Sequence, residues 1–105
     1  MLDTITEPIH TGMYTVPTSG HLKLVVQVEF SNVDEAHPHT LTVWVQIGSS
    51  WGDVKTVTIP PKGHSAFLLF QPMRGLTPGE QRVDVNAKAD APDAIAVLNA
   101  SIVSS

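Results

Sequence analysis

Leu22-Lys23-Leu24-Val25-Val26-Gln27-Val28-Glu29-Phe30-Ser31 alternates in polarity over its whole length. Leu22, Leu24, Val26, Val28 and Phe30 fall on one side, Lys23, Gln27 and Glu29 on the other, and only Val25 interrupts the pattern. Successive side chains of an extended chain point to opposite faces, so this run predicts a half-buried β-strand. The same period continues towards the C-terminus. Residues 40–48 place Leu41, Val43, Val45 and Ile47 inward and Thr40, Thr42, Trp44 and Gln46 outward. Residues 54–59 offer Val57 and Ile59 to a core, and residues 81–87 offer Val83, Val85 and Ala87. Residues 65–70 are almost continuously apolar, which predicts a strand covered on both faces. Residues 94–103 close the series with Ala96, Leu98, Ala100 and Ile102 on one face. Towards the N-terminus, residues 12–16 predict a further strand and residues 2–9 a weak one.

Turn chemistry separates these runs. Pro17-Thr18-Ser19-Gly20, the Asn-, Asp- and Pro-bearing residues 32–39, the Gly/Ser-rich residues 48–52 and Thr77-Pro78-Gly79-Glu80 all interrupt the alternation. In Pro60-Pro61-Lys62-Gly63 the proline presets φ, and Gly63 is expected to supply a positive φ. Pro92 limits any helix in the alanine-rich residues 87–96. Strands and turns recurring at roughly ten-residue intervals predict an all-β chain, an antiparallel two-sheet β-sandwich of seven or eight strands. Its connectivity is expected to be jelly-roll-like, with an immunoglobulin-like order as the alternative. Residues 1–11 form an N-terminal arm or weak strand, and residues 12–105 a single sandwich domain.

Composition narrows the role. One domain of 105 residues is 42% hydrophobic and 15% charged, enough apolar material for a core. Six basic against ten acidic side chains leave a net charge of −4, which disfavours nucleic acid as a partner. The absence of cysteine excludes a disulfide framework, a thiolate zinc site and a cysteine nucleophile. The leading residues, MLDTITEPIH, lack the basic and apolar segments of a signal peptide, and no run is long and apolar enough to suggest a membrane span.

Few residues invite chemistry. His37 and His39 are two apart and point the same way on an extended segment, with His10, His21 and His64 elsewhere. No carboxylate stands at a diagnostic spacing, so the pair reads as part of a solvated loop and no metal is expected. Asp34, His37 and Ser31 are close in sequence, but triads are defined by geometry. Asp34 and Glu35 are adjacent and would diverge on a strand. No catalytic residue and no cofactor is assigned, and the chain reads as a non-enzyme. Trp44 lies on the polar side of its run, and with Trp51 it suggests an exposed aromatic contact, for protein before glycan. Leu2, Ile5 and Ile9, spaced among polar residues, suggest an arm that lies along a neighbouring subunit. The expected interface is therefore Leu2, Ile5, Ile9, Trp44 and Trp51.

The order of elements is Tyr14-Thr15-Val16-Pro17-Thr18-Ser19-Gly20, a long strand ending Phe30-Ser31-Asn32, then Thr42-Val43-Trp44-Val45, then Ile59-Pro60-Pro61-Lys62-Gly63, then Leu76-Thr77-Pro78-Gly79-Glu80. This resembles small β-sandwich virion proteins of tailed bacteriophages, of the capsid decoration (cement) or fibre-domain type. The resemblance spans roughly residues 12–103 and rests on turns and alternation. Thr18-Ser19 ahead of Gly20 and Lys62 before Gly63 depart from the pattern. The resemblance implies a structural role on the capsid surface after synthesis in a host cytoplasm. The implied partners are the major capsid protein or another virion protein, and further copies of the chain as a dimer or trimer. It implies no functional residue to carry over.

Overall fold

The computed structural model describes residues 1–104 and contains eight strands and, among those residues, no helix. They are β1 (Glu7–Val16), β2 (Leu22–Asn32), β3 (His39–Ile47), β4 (Ser50–Trp51), β5 (Lys55–Ile59), β6 (His64–Met73), β7 (Gly79–Ala89) and β8 (Ile95–Ser104). They form an antiparallel two-sheet sandwich. One sheet runs β1-β7-β3, with β4 and β5 sharing the far edge of β3, and the other runs β6-β2-β8. Of the two connectivities left open by the sequence, the inner pairs β2–β6 and β3–β7 are those of the immunoglobulin order. The terminal strands have exchanged places relative to that order: β1 lies on β7, and β8 lies on β2.

The alternating runs build the core as the period requires. Leu22, Leu24, Val26, Val28 and Phe30 of β2 face Leu41, Val43, Val45 and Ile47 of β3 and Val83, Val85 and Ala87 of β7, and all are buried. Phe30 meets Phe67 edge-on, with ring centroids 5.5 Å apart. Removing a large side chain from such a layer costs about 3–5 kcal/mol for Phe→Ala, because the cavity does not close fully.

Four sequence expectations are corrected. The boundary at residue 11 is not a break: β1 begins at Glu7, so residues 7–11, expected as part of an arm or weak strand, belong to a ten-residue strand paired to β7. The strand read as covered on both faces is covered on one: Leu69 is buried in β6, while Leu68 and Phe70 are exposed. In β8 the register shifts between Asn99, opposite Glu29, and Val97, opposite Phe30, so Leu98 is the extra residue of a β-bulge. Ile102 and Ala100 lie opposite Val26 and Val28 on the core side, but beyond the bulge that side belongs to Val97 and Ile95, and Leu98 is exposed. Finally, the residue with positive φ in the Pro60–Gly63 turn is Lys62 (φ 59°), not Gly63. The Gly63 N–H donates to the Pro60 carbonyl at 3.0 Å, which makes Lys62 the position that needs a left-handed backbone in a type II turn. Gly63 is needed for space instead, since a Cβ there would stand 2.9 Å from the Pro60 ring.

Candidate interaction surfaces

The N-terminal residues divide between core and solvent. The Leu2 N–H donates to the Ile95 carbonyl and the Ala89 N–H to the Asp3 carbonyl, both at 2.9 Å, so this segment is tied across the end of the sandwich. Leu2 is only 3% exposed and belongs to the core, which removes it as a contact for a neighbour. Ile9 is half-buried at the β1 bulge, where the register shifts between Pro8 and His10. Ile5 alone of the three is freely presented, 73% exposed.

Trp44 is on the outer side of its sheet, opposite Asn86, yet only 5% of it is exposed. The tight β3–β4 hairpin brings Trp51 back over it, and the rings stack at 5.4 Å with an interplanar angle of 16°. Trp51 forms the exposed surface, and the Trp44 indole N–H has no partner among the described residues. Asn86 Nδ2 donates to Gln46 Oε1 at 2.9 Å beside the stack. The two tryptophans thus act as one covered ring and one presented ring rather than a two-ring platform.

Sequence reasoning missed the outer face of the β6-β2-β8 sheet. Directly opposed residues share a face. Val25 lies opposite both Phe70 and Val103, Gln27 opposite Leu68 and Ser101, Lys23 opposite Pro72, and Glu29 opposite Ala66 and Asn99. Phe70 is 69% and Val103 65% exposed, and Leu68 is half exposed. Phe70, Val25 and Val103 therefore form an apolar row across all three strands, with Leu68 and Pro72 beside it. Two depressions flank the row, one of about 370 Å³ lined by Gln27, Ala66, Phe67 and Leu68, the other of about 330 Å³ lined by Lys23, Leu24, Val25, Phe70, Gln71 and Pro72. The signal was present in residues 65–70, which are apolar on both sides of a period-two run; the chain itself covers only one of those sides.

The histidines supply a structural clamp. His39 Nε2 lies 2.8 Å from Asp34 Oδ2, and His39 Nδ1 lies 2.8 Å from Asp90 Oδ1. His37 Nδ1 reaches the same Asp34 oxygen at 3.4 Å from a mostly exposed position, so the two imidazoles do converge. Hydrogen bonding to Asp34, and then to Asp90, raises the His39 pKa above its ordinary 6.5. The His39 contact, reinforced by the Ala36 N–H, holds the Asp34 carboxyl well below the usual carboxylate range. Both ring nitrogens of His39 are engaged by carboxylates, which locks the β2–β3 loop to the β7–β8 loop. Among the described residues no group of three or more His, Asp or Glu side chains has the geometry to hold a metal ion.

Compared with known proteins, the sequence matches no family model and no curated protein.

Proposed function

We propose that this chain is a non-catalytic structural protein of a virus particle, a capsid decoration protein that adheres to other virion proteins and to copies of itself. The reading joins the sequence resemblance to one structural observation, the apolar row Phe70, Val25 and Val103 on the outside of a stiff sandwich. Apolar side chains gathered on a sheet face mark a surface that gains by contact with protein. Decoration needs a rigid body and adhesive faces, and it needs no turnover. Ile5 lies between the core-anchored Leu2 and the half-buried Ile9, on a segment fixed at both ends, which suits a shell contact; Trp51 presents a second apolar group on the opposite sheet.

Composition analysis of purified particles tests this. The chain is expected to co-purify with assembled particles in amounts comparable to the shell protein, to be stripped by mild denaturant and to rebind. Ile5→Asp is the suitable variant for weakening that binding, because deletion of residues 1–10 would also remove Leu2 from the core. A chain always recovered free of particles, and unable to bind them when added back, contradicts the proposal.

A further inference from the structure

We propose that the outer face of the β6-β2-β8 sheet is the contact between two copies of this chain, related by a two-fold axis that lies in the interface and runs across the strands. The inference rests on the reading of this face as a protein interface, and it names the occupant. A strand apolar on both sides is built to be covered on both, and in β6 the single chain covers only the Phe67, Leu69 and Met73 side. Charge selects the second copy and its orientation. In the rows from Lys23 to Glu29, the only ionised side chains pointing outward among the described residues are those two, one at each end of the face. They are six residues apart on β2, about 20 Å at the rise of a strand.

Two such faces can stack with their strands aligned in two symmetric ways. An axis along the strands sets Lys23 on Lys23 and Glu29 on Glu29 of the second copy. An axis across the strands, level with Val26, sets Lys23 on Glu29 and Glu29 on Lys23, closing the same ion pair twice. Like charges brought together at a contact disfavour the first arrangement, and opposite charges favour the second.

Shape agrees with charge. With the axis across the strands, β6 lies over β6 of the second copy. Phe70, in the Val25 row, then meets the Gln27 row of the second copy, where Gln27, Ala66, Phe67 and Leu68 line a depression. Leu68 in turn meets the depression lined by Lys23, Val25, Phe70 and Pro72. Each protruding side chain thus has a recess opposite it. A face three strands wide and about ten residues long projects to roughly 450 Å², against about 800 Å² per partner in a standard interface. The association is therefore reversible and concentration-dependent, in the micromolar range or weaker.

Sedimentation equilibrium on the full chain, with particle binding measured in parallel, tests the inference. Wild type is expected to rise from monomer to dimer with concentration. Lys23→Glu and Glu29→Lys each replace both ion pairs by like charges and are expected to weaken dimerisation at least tenfold at low salt. The double variant K23E/E29K restores opposite charges and is expected to return to within about threefold of wild type. Phe70→Ser, checked by circular dichroism to be folded, is expected to be monomeric. A wild type that stays monomeric at every concentration overturns the inference, as does failure of the double variant to rescue. A monomeric wild type whose particle binding is lost in Phe70→Ser gives the face to another protein, overturning the dimer while leaving the proposed function intact. A dimer with charge rescue but no particle binding upholds the inference and removes the virion role.

Discussion

Asn32, at the end of β2, is 2% exposed and uses both ends of its side-chain amide. Its Nδ2 donates to the carbonyls of His37, Ile59 and Pro60, and its Oδ1 accepts from the Asp34 N–H. Asn32→Ala strands these buried groups, and the expected loss is about 3 kcal/mol in chemical denaturation. Two residues further, the Asp34–His39–Asp90 clamp makes stability depend on pH. The raised pKa of His39 means that its contribution is complete below about 6.5 and is lost as pH rises through the higher folded value. The lowered pKa of Asp34 means the opposite: its contribution is complete above about 4 and is lost as pH falls through the folded value. The difference in melting temperature between wild type and His39→Gln is therefore expected to be widest between about pH 4.5 and 6 and to narrow as pH rises above about 6.5 through the raised folded value. A difference that stays constant across this range would show that the clamp is not ionic. Sequence alone read Asn32 as a turn residue and His39 as a loop imidazole, because their partners lie up to 51 residues away in the chain, across loops that only the closed sandwich brings together.

At the scale of elements, alternation carries most of the information. In β2, β3, β5 and β7 the inward residues named from periodicity are buried or half-buried, because one face is fixed by water and the other by the opposing sheet. Prediction fails where a strand changes register midway. In β8 both sides of residues 95–98 are apolar, so period two offers two registers, and the bulge at Leu98 chooses Ile95 and Val97. The consequence is a contrast between close neighbours. Leu98→Ser is expected to change stability by less than about 0.5 kcal/mol, whereas Ile95→Ala, at a fully buried position, is expected to cost about 3 kcal/mol. A reversed contrast, with Leu98→Ser costly and Ile95→Ala nearly neutral, would mean that the strand continues without a bulge. The β1 bulge hid the start of that strand in the same way, and the isolated apolar residues before it resembled a loose arm. Trp44 was read as outward, which its strand position bears out; its burial depends on a two-residue strand too short to register as a period.

The whole molecule is an elongated slab, 50 × 22 × 18 Å, with its core between the sheets and apolar side chains left on the outside of the thinner one. That surplus is the feature which joins sequence to role. A protein that worked alone would gain solubility from polar residues at Leu68, Phe70 and Val103, as it does on most of the other sheet. Retaining apolar residues there fits a chain that is finished by assembly. The choice of surface was only half legible: residues 65–70 announced two covered faces, but a single sequence does not say whether the second cover comes from the same chain. The most direct measurement is an isotope-filtered nuclear Overhauser experiment on an equal mixture of labelled and unlabelled chains at millimolar concentration, where even a weak dimer is populated. Contacts are expected between the Phe70 ring of one copy and the Leu68 methyls of the other. Contacts from Phe70 to Val103 of the other copy, or no contact between copies, would contradict it.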